Sequence, residues 1–280
     1  MHPTNFSVSL PLDHQPFAKR ALMTPELKQE GKFEYLESGG PGEPLMLLHG
    51  LFGGLSNFGA QIEHFKKDFN VIVPTLPMFT LPLRKVSLAG LVDHLVDFVS
   101  FKGLKNIHLM GNSLGGHVAI LYAMAQPEKI ATVTLTGSSG LFESAMGNTF
   151  PKRGDYEFIK RKVETTFYDP ATSTKELVDE VFDSVNDRNK GLRIIMTAKS
   201  AVRHNLAHKL DLIKVPTLLI WGKQDTITPP FVGEQFHELI ADSELHLIDK
   251  CAHAPMMERP EEFNQILGDF LKRVGATAGA

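Results

Sequence analysis

The stretch Gly111-Asn112-Ser113-Leu114-Gly115-Gly116 decides how this chain is read. Ahead of it runs an apolar segment, Ile107-His108-Leu109-Met110, short enough for a buried strand. Behind it, His117-Val118-Ala119-Ile120-Leu121-Tyr122-Ala123-Met124 continues at helical length. A serine with glycine two residues to either side, at a strand-to-helix reversal, is the nucleophile-elbow arrangement. Glycine is demanded at the flanks because the reversal leaves no room for a Cβ. The serine is left strained, with its hydroxyl standing clear of the sheet. Gly-x-Ser-x-Gly is short enough to arise by chance, so the strand before it and the helix after it are what give it weight.

Outward from the elbow, short apolar runs alternate with helical ones. Strands are predicted at Lys32–Glu37, Leu45–Leu48, Val71–Val73, Ile107–Met110, Val133–Thr136, Thr217–Trp221 and Leu245–Ile248. Helices are predicted at Asn57–Lys67, Leu88–Phe101, Leu114–Ala125, Pro229–Ile240 and Glu261–Val274. Buried strands alternating with helices imply a mostly parallel sheet covered on both faces. The alternation breaks between Phe142 and Lys214, where a more charged segment is predicted helical at Tyr156–Tyr168, Ser173–Val185 and Gly191–Val202. Ser173-x-x-Glu176 is a capping-box pattern, and Leu177, Val178, Val181, Phe182 and Val185 share one face of the helix that follows. The expected organisation is an N-terminal arm over 1–26, a core made of 27–141 and 212–280, and a helical cap over 142–211. Such a cap would cover the carboxyl edge of the sheet, where open α/β sheets bind ligands.

Bulk properties narrow the field. The 280 residues suit one large domain with an insertion, and 42% apolar and 22% charged residues are ordinary for a soluble globular chain. A net charge of −3 gives nucleic acid or an anionic membrane no electrostatic purchase. No apolar run approaches the roughly 20 residues of a membrane span, and no secretion signal is expected, since Met1-His2-Pro3-Thr4-Asn5-Phe6 is not a basic segment followed by a long apolar stretch. A single cysteine, Cys251, excludes an internal disulfide and fits the cytoplasm. No Cys/His cluster has metal spacing and no glycine-rich stretch matches a phosphate cradle, so no metal and no cofactor is expected. The expected partner is a small-molecule substrate, with the chain a monomer or a homo-oligomer.

A serine hydroxyl needs a base within reach and a group to orient that base. Asp225 follows the strand Thr217–Trp221, and His253 follows the strand Leu245–Ile248. Both loops should emerge on the side of Ser113, which gives Ser113 as nucleophile, His253 as base and then acid, and Asp225 as orienter. Two N–H donors are needed for the oxyanion. They are assigned to Leu114, just after the nucleophile, and to Leu51 in His49-Gly50-Leu51-Phe52-Gly53-Gly54, with Phe52 as second choice. His49 is expected to brace that loop by hydrogen bonds, and His117 to pack under the elbow. Asp249 reads as a strand cap and Cys251 as a small buried residue. Phe79, Phe142, Met146, Phe150, Met196 and Met256 are the candidate pocket lining, each as plausible in the core.

His-Gly at 49–50, Gly-x-Ser-x-Gly-Gly at 111–116, Trp-Gly-x-x-Asp at 221–225 and His-x-Pro-x-x-Glu-x-Pro-x-x-Phe at 253–263 together resemble the α/β-hydrolase superfamily. The likeness spans about Lys32 to Arg273 and implies the α/β-hydrolase fold, a mostly parallel eight-stranded sheet with helices on both faces and an inserted helical cap. Serine at 113 sets the chain apart from the branches with an aspartate nucleophile. Gly111-Asn112-Ser113 and Lys250-Cys251-Ala252-His253 resemble the carbon–carbon hydrolases of aromatic meta-cleavage products. Against that subfamily's pattern, Leu51-Phe52-Gly53-Gly54 replaces a Gly-Pro-Gly stretch, Ala254-Pro255 replaces a tryptophan, and Thr75-Leu76-Pro77-Met78-Phe79 replaces Asp-x-Pro-Gly. The helix Ser173–Val185 holds no arginine, and Arg188, Arg193 and Arg203 are unmatched. The resemblance therefore implies a serine esterase of small, mainly apolar substrates. Carbon–carbon hydrolysis, cofactor-free perhydrolase or haloperoxidase chemistry, and a ligand receptor on the same scaffold are the alternatives.

Overall fold

Runs too short for helices, mostly apolar in the centre of the sheet, build it: β1 (Lys28–Glu30), β2 (Phe33–Glu37), β3 (Pro44–Leu48), β4 (Asn70–Pro74), β5 (Ile107–Asn112), β6 (Ile130–Thr136), β7 (Thr217–Gly222) and β8 (Ser243–Ile248). The computed structural model describes residues 27–142 and 153–278; the expected arm over 1–26 and the candidates Met146 and Phe150 lie outside the described residues. Spatial order is β1-β2-β4-β3-β5-β6-β7-β8. The six strands from β4 to β8 are parallel, whereas β2 runs antiparallel to β4 and β1 antiparallel to β2. The sheet is thus mixed at one edge. β1 escapes a hydropathy reading because Lys28-Gln29-Glu30 is wholly polar and exposed, a composition that also keeps an edge strand from pairing with other chains.

Alternate residues of the central strands feed two apolar layers. Met46, Leu48, Ile72, Leu109 and Trp221 face one side with helices α2 (Leu88–Lys102), α3 (Leu114–Ala125) and α7 (Pro230–Leu239). Leu45, Leu47, Val71, Val73 and Ile220 face the other with α1 (Gly59–Phe65) and α9 (Pro260–Ala278). Burial on both faces is why these strands read as continuous apolar runs. α9 continues past the expected end at Val274 to Ala278.

Among the described residues between β6 and β7 lie three further α-helices, α4 (Tyr156–Glu164), α5 (Lys175–Asn186) and α6 (Arg188–Arg203). Each is capped by a side chain at its start: Asp155 accepts from Phe158 N–H, Thr174 from Leu177 N–H, and Asp187 from both Asn189 and Lys190 N–H. The α5 cap is therefore Thr174, one residue beyond the expected Ser173. Val178, Val181 and Val185 of α5 are buried as the periodicity predicts, while Phe182 stacks edge-on against Tyr156. Inserting these helices after β6 places them over the carboxyl ends of the strands, where the elbow opens.

Candidate active site

β5 ends at Asn112 and the chain reverses at Ser113, which sits at φ 55°, ψ −119°, a conformation costly for any residue with a Cβ. The serine carbonyl holds the reversal in place by accepting N–H bonds from Gly116 at 3.0 Å, His117 at 3.3 Å and Ser139 at 3.2 Å. Close approach explains the flanking glycines. A Cβ on Gly111 would stand 2.5 Å from the Gly116 nitrogen, and one on Gly115 would stand 2.6 Å from the Leu48 carbonyl carbon and 2.7 Å from the His49 oxygen. Both obstacles are backbone, so neither can swing aside.

The loops after β7 and β8 bring Asp225 and His253 together. His253 Nδ1 lies 2.9 Å from Asp225 Oδ2, with both side chains almost fully buried. A carboxylate only accepts, so Nδ1 carries the proton and Nε2 offers its lone pair to the cavity. The carboxylate is balanced by local donors: Ile227 N–H and Thr228 N–H reach Oδ1 at 2.8 and 3.0 Å, and Thr228 Oγ1 donates to Oδ2 at 3.0 Å. Thr228 Oγ1 also stands 3.3 Å from His253 Nδ1. The histidine backbone is equally held, its carbonyl accepting from the Asn112 side-chain amide at 3.1 Å. Gly137, at φ 49°, leaves room for the ring, since a Cβ there would stand 3.0 Å from Nδ1. Ser113 and His253 line one cavity without a direct hydrogen bond among the described residues, a contact often long until substrate binds.

The loop after β3 is ordered by His49. Its Nε2 accepts the Leu76 N–H at 3.0 Å, so Nδ1 is the protonated nitrogen and donates to the Gly50 carbonyl at 2.9 Å. Burial pulls the His49 pKa down, which keeps the ring neutral and suited to donating on one side while accepting on the other. Gly53 N–H donates to the same Gly50 carbonyl at 3.1 Å. In a trans peptide the carbonyl and the following N–H point opposite ways, so this pinning turns the Leu51 N–H outward. Neither Leu51 nor Phe52 N–H, nor that of Leu114 at the start of α3, meets an acceptor among the described residues. Among the described residues these three N–H groups are thus free; Leu51 and Phe52 line one cavity with Ser113 and Leu114 follows it, a set able to receive an oxyanion.

Above Ser113 is a cavity of about 500 Å³. Its cap wall is Ile159, Val163, Phe167, Leu177, Val181 and Ile194, and its floor holds Ser113, His253 and Asn112. Among the described residues Lys162 is its only charged lining residue. Leu51 and Phe52 line it; of the candidate lining residues that are described, Phe79, Phe142, Met196 and Met256 do not. Phe79 packs on the α2 side of the core beneath the Lys190 ammonium, and Phe142 stacks edge-on against Phe231. Met256 is buried in the opposite layer while its neighbour Met257 reaches the cavity, and Ile195 takes the place expected of Met196. In each of these two cases the error is one residue on a helix, which turns a side chain by about 100°. Arg193 is spent on the Leu81 carbonyl at 2.5 Å, holding the chain after β4 to α6. His117 is wholly buried under the elbow, with Nδ1 3.3 Å from Ser139 Oγ. Asp249 is engaged by the Gln224 amide at 3.1 Å. Thr228, Asn112 and Glu258 support His253 and its loop; Asn112 and Glu258 stand inside the motifs at 111–116 and 253–263, which do not by themselves reveal that role, and Thr228 carries no local signal. Among the described residues no group of three His, Cys, Asp or Glu is placed to hold a metal ion, and no helix is long and apolar enough to cross a membrane.

The family described as the alpha/beta hydrolase fold matches residues 43–260. A 2-hydroxy-6-oxononadienedioate/2-hydroxy-6-oxononatrienedioate hydrolase of Paraburkholderia phymatum is 29% identical, over 86% of this chain and 91% of that protein. The monoacylglycerol lipase ABHD6 of Bos taurus is 28% identical, over 89% of this chain and 82% of its own. Among solved structures, an alpha/beta hydrolase enzyme from the metagenome of Mar Chica lagoon sediments is 45% identical with a TM-score of 0.74, covering 89% of this chain and 98% of that one.

Proposed function

Since this chain belongs to the alpha/beta hydrolase fold family, we propose that it is a serine hydrolase that opens carboxylic esters of mainly apolar substrates through an acyl-enzyme, with residues 142–211 as its cap. The observation that carries the reading is the strained Ser113 sharing one apolar cavity with an imidazole held by Asp225. Ser113 Oγ attacks the ester carbonyl carbon as its proton passes to His253 Nε2. Negative charge that collects on the carbonyl oxygen is received by the N–H groups of Leu114 and Leu51, with Phe52 beside them. The imidazolium, steadied by Asp225, returns the proton to the departing alcohol oxygen. Water then gives a proton to His253 as it attacks the acyl carbon; the imidazolium passes that proton to Ser113 Oγ as the acyl C–Oγ bond breaks, and the acid leaves with Ser113 restored.

A second reading is favoured by the curated relatives rather than by the cavity. The Paraburkholderia relative carries a carbon–carbon hydrolase name, and the same triad would serve an attack on the ketone of a vinylogous 1,5-diketone. The dienedioate of that name carries two carboxylates, whereas the described lining of the cavity offers one ammonium, Lys162, with Asn57, Thr165, Thr166 and Thr226 among mainly apolar walls. Ester hydrolysis is therefore placed first.

The test is a panel of p-nitrophenyl esters and coloured meta-cleavage products on wild type and Ser113→Ala. Ester turnover in wild type, with kcat lowered about 10⁴–10⁶-fold in the variant, is expected. Fast bleaching of a dienoate with poor ester turnover would move the assignment to the carbon–carbon reaction. Near-normal ester hydrolysis by the variant would remove Ser113 as nucleophile. Binding without turnover of any substrate would leave a receptor.

A further inference from the structure

The two peptide N–H groups on either side of His253 end on the same carboxylate oxygen. Ala252 N–H reaches Glu258 Oε1 at 2.9 Å and Ala254 N–H reaches it at 3.4 Å. The other oxygen, Oε2, takes the N–H of Tyr168 at 2.6 Å, in the chain that leaves α4. From that same stretch the Thr166 carbonyl accepts the N–H of His253 itself at 3.0 Å. Glu258 closes the one-turn helix α8 (Pro255–Glu258) that follows the histidine, so its backbone is anchored to the core. Thr166 and Phe167 meanwhile line the cavity wall. A single side chain therefore bridges the base-bearing loop and the cap, at the point where the cap lines the cavity.

We propose that Glu258 is a positioning residue that seats the cap segment Thr166–Tyr168 and the peptide of His253 as one unit, so that the imidazole's place over Ser113 depends on the seating of the cap. The inference rests on the serine-hydrolase reading above. A merely structural carboxylate would be expected to stabilise one segment. Here one oxygen serves the histidine loop and the other serves the cap, and His253 N–H closes the bridge from the opposite side. Burial raises the pKa of this carboxyl against the lowering by its three N–H donors, a cost that only well-made hydrogen bonds offset. A ligand that pushes Phe167 outward would pull on the His253 amide through a single intervening residue.

The experiment compares Glu258→Ala and Glu258→Gln with wild type by the rate at which a fluorophosphonate phosphonylates Ser113, and by kcat and KM on a p-nitrophenyl ester. Glu258→Ala loses every bond and should slow both phosphonylation and kcat by about 100-fold, as expected for a base misplaced by about 1 Å. Glu258→Gln keeps an oxygen for Ala252 and Ala254 but turns an NH2 toward the Tyr168 N–H, and should slow both by roughly 3–10-fold. Losses of less than about tenfold in folded Glu258→Ala, or of less than about threefold in Glu258→Gln where the alanine variant does not fold, would overturn the proposal whatever happens to KM. Ser113→Ala serves as the control. If it were phosphonylated as fast as wild type, the serine assignment would fall, and not the role of Glu258.

Discussion

Adding one methyl group at Gly115 tests whether the elbow is shaped by backbone contact. The new Cβ would lie 2.6 Å from the Leu48 carbonyl carbon, 2.7 Å from the His49 oxygen, and nearer still to the Leu48 oxygen. Ordinary contact starts near 3.4 Å, so the first turn of α3 must retreat from the end of β3 by close to 1 Å. No rotamer relieves it, because every obstacle is main chain. Overpacking of this kind costs about 2–3 kcal/mol, which for a chain of this size lowers the unfolding temperature by roughly 5 °C. The same retreat separates Leu114 N–H from Leu51 N–H, since one rides on α3 and the other follows β3. An error of that size in an oxyanion site costs about 100-fold in rate. Calorimetry and fluorophosphonate labelling of Gly115→Ala read the two effects separately. Gly268→Ala is the control: it lies within α9, its Cβ would meet only Phe65 ring atoms at 3.7 Å or beyond, and it should gain up to about 1 kcal/mol. Unaltered unfolding temperature and unaltered labelling in Gly115→Ala would refute the argument.

Two further outcomes follow from the site's hydrogen bonds and burial. Thr228→Val keeps the shape of the side chain but withdraws the hydroxyl from Asp225 Oδ2 and His253 Nδ1, and should lower kcat about 10–100-fold with little change in KM; steady-state ester kinetics with an unchanged kcat would contradict this. Burial holds the His117 pKa down at about 4 against 6.5 in the open chain, so the unfolded state binds the extra proton. Its contribution is complete above pH 6.5 and is lost as the pH falls toward 4, on the order of 3 kcal/mol in all. Urea unfolding at pH 7.5 and 4.5 should show wild type losing its advantage over His117→Asn at the lower pH; an advantage that grows in acid would reverse the sign of the account.

Much of the frame was legible because its determinants are local. Leu114–Ala125 begins and ends where the apolar run does, and the elbow is written in two glycines whose missing side chains the strand end requires. The loops bearing Asp225 and His253 follow from counting strands. What could not be read depends on contacts between distant segments. β1 is a strand only because Phe33–Glu37 lies beside it, for its own residues are polar throughout. Periodicity marked the buried face of α5, but not that Val181 would meet the cavity while Val185 would not. Met256 and Met257 are chemically alike and adjacent, and only the pitch of α8 sends one to the core and the other to the cavity. Glu258 lies five residues past the histidine, yet its partners include Tyr168, ninety residues away.

The twist at Ser113 sets endurance against turnover. Glycine adopts φ 55° without the penalty a Cβ imposes, so Ser113→Gly would relax a knot worth on the order of 1–3 kcal/mol. A lineage screened for heat resistance alone would drift toward that inert version. Any programme to toughen this protein must keep selecting for turnover, or it will be rewarded for disarming it.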